Sequence, residues 1–146
     1  MKYSEIRQDL FDVSSSYALG HCISWDCKMG AGIAVEVDEM FPNMKTRLIR
    51  TLAQEKEYYP HTRLFEDGNI RVLNIITKPK YFMKPTQSSM HRALISMRKV
   101  CLERKINKVA IPRIGAGLDK LDWYYTSNII KEIFRDTDIE ILVCVI

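Results

Sequence analysis

Apolar residues follow two rhythms along this chain, short continuous runs and stripes spaced three and four apart, and the two alternate. The run from Tyr17 to Ile23 predicts a strand. Ala31 to Phe41 predicts a helix burying Ile33, Ala34, Val37, Met40 and Phe41. Pro42-Asn43 interrupts it, and Asn43 is placed to cap a second helix with Met44, Leu48 and Leu52 on one stripe. Glu66-Asp67-Gly68-Asn69 is turn chemistry between a short strand, Arg63 to Phe65, and a stronger one, Ile70 to Thr77. Thr86 then caps the clearest helix, whose stripe is Met90, Ala93, Leu94, Met97 and Cys101. Lys108 to Pro112 predicts another strand, Asp122 caps a last helix turning Thr126, Ile130, Ile133 and Phe134 inward, and Ile139 to Ile146 predicts a buried closing strand. Such alternation implies an α/β layered sandwich with a largely parallel or mixed central sheet. Ligands in such folds lie beyond the carboxyl ends of strands.

The 146 residues suit one domain, 1–146, with 47% hydrophobic and 27% charged residues, an ordinary globular balance. No apolar run approaches the roughly 18 residues of a membrane-spanning helix, so no membrane partner is expected. Met1-Lys2-Tyr3-Ser4-Glu5 has no apolar core of the secretory kind, which predicts an intracellular, cytoplasmic protein. Cys22, Cys27, Cys101 and Cys144 form no Cys-x-x-Cys pair, and two of them sit inside apolar runs, so they read as free thiols. His21 and Cys22 are adjacent on a strand and point to opposite faces, and no second ligand pair follows, so no metal is expected. The net charge of +4 favours an anionic ligand, but the basic residues are scattered.

Two glycine loops follow strands and precede helices. The first is Cys27-Lys28-Met29-Gly30-Ala31-Gly32-Ile33-Ala34, which lacks the Gly-Lys-Ser/Thr of one phosphate loop and the third glycine of another, so that alone it fits a plain tight turn about as well. The second is Pro112-Arg113-Ile114-Gly115-Ala116-Gly117-Leu118-Asp119. Glycines let backbone N–H groups approach an anion closely, and two such loops in one small domain suggest a cradle for both phosphates of a diphosphate. Asp119 sits at the rim of the second. Lys78 ends the strand Asn74-Ile75-Ile76-Thr77, where a desolvated amine can become a nucleophile; on the residues alone a solvated lysine at a strand exit is the better reading.

Together, Gln8-Asp9-Leu10-Phe11, His21-Cys22-Ile23-Ser24, Met29-Gly30-Ala31-Gly32-Ile33-Ala34, Ile76-Thr77-Lys78, Lys84-Pro85-Thr86 and Pro112 to Asp119 resemble the macrodomains of the terminal ADP-ribose protein glycohydrolase type. The order is the same from about Ser4 to the last residue. The resemblance implies a three-layer α/β/α macrodomain with a mixed central sheet and an ADP-ribose cleft. It places Asp9 and the Leu10 N–H at the adenine, Ser24 and Met29 at the distal part of the cleft, and Ile146 near the adenosine. The diphosphate would lie between Gly30, Ala31, Gly32 and Ile33 on one side and Arg113, Ile114, Gly115, Ala116, Gly117 and Leu118 on the other. Lys78 and Asp119 correspond to the family's catalytic lysine and aspartate.

By that resemblance the chain is a hydrolase, needing no cofactor, that removes terminal ADP-ribose from protein carboxylates or O-acyl-ADP-ribose. Alternatives within the same fold are release of ADP-ribose from DNA bases, dephosphorylation of ADP-ribose 1″-phosphate, and non-catalytic binding of ADP-ribose. The expected partners are ADP-ribose and ADP-ribosylated protein, with ADP-ribosylated nucleic acid as a further candidate, and a monomer is expected. Gln8 stands where the family often has glycine and Ala116 where it has cysteine or another small residue. The segment Pro79 to Met83 is weakly matched, and the role of Lys80 and Lys84 is not given by the resemblance.

Overall fold

The computed structural model describes residues 1–55 and 58–146. The strands are β1 (Lys2–Arg7), β2 (Ala18–Ser24), β3 (His61–Asp67), β4 (Ile70–Lys78), β5 (Lys108–Ile111) and β6 (Glu140–Val145). They form one sheet in the order β1-β6-β5-β2-β4-β3. Every pairing is parallel except β3 with β4, the hairpin closed by Gly68-Asn69. The sheet is therefore mixed, with its carboxyl ends gathered along one edge.

Helices α1 (Ile33–Met40) and α2 (Met44–Gln54) cover one face, and α3 (Gln87–Glu103) and α4 (Trp123–Phe134) cover the other. The α3 stripe, Met90, Ala93, Leu94, Met97 and Cys101, is buried against Leu73, Ile75, Val109 and Ile111. Burying each of its larger apolar side chains contributes roughly 1.5–3 kcal/mol, which outweighs the helix's modest intrinsic propensity. Thr86 Oγ1 accepts from the Ser89 N–H at 3.0 Å and Ser89 Oγ accepts from the Thr86 N–H at 2.9 Å, a reciprocal cap. Asp122 starts α4 by accepting from the Tyr124 N–H, and Thr126, Ile130, Ile133 and Phe134 face inward. On the opposite face Met44, Leu48 and Leu52 join Val37, Phe65, Val72 and Ile76.

Four expectations change. Met40 is 49% exposed, because α1 ends there and the chain turns away before its side chain meets the sheet. Asn43 precedes α2 but its side chain makes no capping bond; its backbone is already helical. The closing strand stops at Val145, leaving Ile146 86% exposed beyond the sheet. The first strand of the hairpin runs His61–Asp67, longer than Arg63 to Phe65. Two elements are too short or too polar for the apolar pattern to predict: β1, a largely exposed edge strand paired, among the described residues, with β6 alone, and a 3-10 turn at Leu10–Asp12. No helix among the described residues is long and apolar enough to cross a membrane.

Candidate active site

Strands β2, β4 and β5 end side by side, and the loops leaving them frame a cleft of about 610 Å³. That volume suits a ligand of nucleotide size. Three elements singled out in the sequence meet at this cleft. Ser24, Met29, Gly30, Ala31, Gly32 and Ile33 line one wall, Arg113, Ile114, Gly115, Gly117, Leu118 and Asp119 the other, with Lys78 between them.

The loop after β2 is held in an unusual backbone shape. Cys27 and Met29 both have positive φ, 56° and 49°, which costs a non-glycine residue about 1–2 kcal/mol. Their side chains are buried beneath the loop against Val37, Leu48 and Ile76, and that packing fixes the shape. Gly32, with φ 63° and ψ −150°, occupies a region open essentially to glycine alone and starts α1. In the loop after β5, Gly115 has φ 76°, and a Cβ there would meet Met90 Cε at 2.9 Å. Gly30 and Gly117 are different: their φ is not positive, and a Cβ would find only Lys28 Cγ at 3.8 Å in the first case and nothing within 4 Å in the second. Their bareness faces the cleft. Among the described residues, no hydrogen bond uses the N–H groups of Gly30, Ala31, Gly32, Gly117 or Leu118. Unpaired amides at a helix start and in an opposing turn make a site for an extended anion.

Lys78 and Asp119 meet at the centre. Lys78 Nζ lies 2.8 Å from Asp119 Oδ1, and the two side chains are only 15% and 16% exposed. A solvated lysine at a strand exit is therefore not what this residue is. At that distance, with solvent mostly excluded, amine and carboxylate form one close pair at the floor of the cleft. The Cys22 thiol lies close by on β2, and burial, then the Asp119 charge, push its pKa up despite Lys78. It stays a neutral thiol and is no rival nucleophile.

Other predicted positions sit farther out. Ala116 does not line the cleft. Asp9 follows β1, and its Oδ1 accepts from the Phe11 N–H at 3.0 Å, capping the 3-10 turn. Leu10 points into a small core with Ala110 and Cys144. Ile146 follows β6 beside Asp9, since the Gln8 N–H donates to the Val145 carbonyl at 2.8 Å. These three gather at the same sheet edge as the cleft but outside its enclosed part. Arg113 turns its guanidinium to Glu5 on β1, which also faces Trp123 Nε1. His21 is buried with Nε2 2.7 Å from Asn74 Oδ1; burial lowers its pKa to about 4, against the raising effect of that bond.

The structure gives a place to residues to which the sequence assigned no role: Lys28, Tyr81, Phe82 and Met83, all on the cleft wall with Lys78, and Lys84, whose Nζ donates to the Leu118 carbonyl at 3.1 Å. A Lys-x-x-x-Lys segment interleaved with aromatic residues directly after the strand carrying the amine was the available signal.

No protein-family model matches the chain. The human ADP-ribose glycohydrolase OARD1 is 38% identical over 138 residues, 94% of this chain and 88% of that protein. Among solved structures, the macrodomain of Thermus aquaticus DarG superimposes with a TM-score of 0.88 at 17% identity, covering 99% of this chain and 98% of that one. Thermosipho africanus DarTG, solved in complex with ADP-ribose, gives a TM-score of 0.86 at 17% identity over 98% of this chain and 41% of that one. The shared fold and the near full-length identity lead to one assignment: this chain belongs to the ADP-ribose glycohydrolase OARD1 family and is a macrodomain.

Proposed function

We propose that the chain binds ADP-ribose in this cleft and hydrolyses the bond between its distal ribose and an acceptor carboxylate of glutamate or aspartate, or the acyl group of O-acyl-ADP-ribose. The observation that carries the reading is the Lys78–Asp119 contact of 2.8 Å at the meeting point of the two glycine loops. The amides of Gly30 to Ile33 and of Gly117 and Leu118 hold the diphosphate. Asp9, whose Oδ1 is engaged by Phe11, offers its other carboxylate oxygen to the adenine amino group.

Proton transfer from the Lys78 ammonium to Asp119 frees the amine. The amine attacks the anomeric carbon of the distal ribose, the bond from that carbon to the acceptor oxygen breaks, and the electron pair leaves with the acceptor carboxylate. A carboxylate is a good leaving group, so little acid assistance is needed at this step. The bond from the anomeric carbon to the ring oxygen then breaks as a proton passes from the lysyl nitrogen to that oxygen, and the open sugar is left as an iminium on Lys78. Asp119, ionised again after returning its proton to the acceptor side, takes a proton from water as that water adds to the iminium carbon. The new hydroxyl becomes the sugar's carbonyl as the carbon–nitrogen bond breaks, and Asp119 returns its proton to the departing amine, which releases ADP-ribose and restores the ion pair. One water is consumed.

Lys78→Ala is expected to lower turnover of an ADP-ribosylated glutamyl peptide by at least about a hundredfold, the scale of losing a reacting group, while calorimetry still detects ADP-ribose binding. Borohydride added during turnover is expected to fix a sugar adduct on Lys78, read by mass spectrometry. Turnover persisting in the alanine variant would remove Lys78 from the nucleophile role.

A further inference from the structure

The wall beside Lys78 holds groups that this reaction does not use. Immediately after β4, the segment 79–83 turns back on itself, with the Met83 N–H donating to the Lys80 carbonyl at 3.1 Å. It presents Tyr81 and Phe82, 55% and 71% exposed, with their rings edge to face at 5.5 Å. Two large apolar groups left in water at the mouth of a site, within four residues of the reacting amine, cost solubility without serving the core.

Asp26 fixes them in place. Its Oδ2 accepts from the Tyr81 N–H at 3.0 Å, while Oδ1 accepts from the Lys28 N–H at 3.2 Å and from Ser24 Oγ. One carboxylate thus ties the loop after β2 to the segment after β4. The Trp25 N–H donates to the Lys78 carbonyl at 2.8 Å, a second tie. Lys28 Nζ lies 5.5 Å from the centre of the Tyr81 ring. Burial alone would raise the Asp26 pKa, but the three hydrogen bonds and nearby Lys80 hold it below the ordinary carboxylate value, so the knot stays charged.

Of the cations around this segment, Lys84 donates to the Leu118 carbonyl and Lys28 lies over the Tyr81 ring, while Lys80 is exposed. The two large side chains that stand out at the mouth are aromatic, and Phe82 carries no polar group at all. A nucleic-acid backbone would need those cations; an apolar side chain would not.

We propose that Tyr81 and Phe82, held by Asp26 as a positioning residue, form an acceptor lip that selects carboxylates flanked in their own chain by an apolar side chain. The proposal rests on the hydrolase reading of the cleft. The lip touches the acceptor in ground and transition states alike, so its contribution belongs in KM more than in kcat.

The test uses the full chain and two synthetic peptides, each with ADP-ribose on one glutamate, flanked by leucine in one and serine in the other. O-acetyl-ADP-ribose, with no flanking residue, is the third substrate. The wild type is expected to prefer the leucine peptide roughly tenfold in kcat/KM, the scale of one aromatic contact, with the difference in KM. Phe82→Ala is expected to bring the two peptides level. Asp26→Ala is expected to do the same, and the double variant to lose nothing more, because the two changes remove one lip. Equal turnover of the two peptides by the wild type, or a preference that survives Phe82→Ala, would overturn the proposal. So would an ADP-ribosylated oligonucleotide whose turnover alone depends on Phe82. A wild type that releases ADP-ribose from O-acetyl-ADP-ribose but shows no peptide preference sinks the lip alone. One that hydrolyses none of these substrates sinks the hydrolase reading with it.

Discussion

The two loops that face each other across the cleft do similar work by different physics. The loop after β2 has strained residues at Cys27 and Met29, and it holds them by burying their side chains in the core under α1 and α2. The loop after β5 has left-handed residues at Gly115 and at Lys120, whose side chain is exposed rather than buried, closes through short turns such as the Leu121 N–H to Gly115 carbonyl bond at 2.7 Å, and leaves Leu118 largely in water. The first wall holds its strained residues by burying them, whereas the second buries Ile114 but carries its left-handed residues at a glycine and an exposed lysine. The first should lose its shape only with stability, while the second can change its ligand contacts with the fold intact.

The largest effect that would break this comparison is at Met29. Met29→Ala is expected to cost about 3 kcal/mol of unfolding free energy, as large-to-small changes at buried methionine do, and to weaken ADP-ribose binding in parallel. The matched change across the cleft, Leu118→Ala, is expected to stay within about 0.5 kcal/mol, because it empties no core site. Urea titrations of both variants measure the contrast. Equal losses would mean that the two walls are built alike.

A finer contrast lies inside the second loop. Gly115→Ala is expected to cost about 2 kcal/mol, since φ is 76° and the new Cβ would press on Met90 and Leu121. Gly117→Ala meets no protein atom and should leave the melting temperature unchanged, while ADP-ribose affinity measured by calorimetry falls. If Gly117→Ala unfolds the protein or binds normally, the space beside it is not reserved for a ligand.

The same division explains what could be read from the chain in advance. Stripes such as Met90, Ala93, Leu94 and Met97 announce themselves because burial repeats with the helical period, and Thr86 and Asp122 because a cap needs one side chain at one place. β1 was hidden: Lys2, Ser4, Glu5 and Arg7 have no burial to advertise, and the strand exists because β6 offers an unpaired edge. The resemblance brought Lys78 and Asp119 together across 41 positions; spacing alone could not, since their contact depends on β2 lying between β4 and β5. The Asp26 knot was equally silent, because a carboxylate tying two distant loops has no local signature.

The smallest expected effect concerns the floor of the first wall under acid. His21 is buried on the α2 side of β2, where Asn74, its hydrogen-bond partner, also contacts Met44 Sδ at 3.7 Å. Burial holds its pKa at about 4, against about 6.5 in an unfolded chain. Between those values the unfolded state binds a proton that the folded state refuses, so stability is complete above pH 6.5, falls with acidification, and levels off below 4. From pH 7.5 to 5.5 this one residue should remove about 1.3 kcal/mol. His61 lies on the same face with Nε2 3.6 Å from Glu55 Oε2, so the wild-type slope alone does not isolate His21. The difference in slope between wild type and His21→Leu does: the leucine variant should lose about 1.3 kcal/mol less over that interval. Because α3 and α4 pack on the far side, acid should weaken ADP-ribose binding through the β2 wall before it exposes the Met90 stripe to hydrogen exchange. Parallel slopes in the two proteins would place a charged or water-reached imidazole where the packing puts a neutral one.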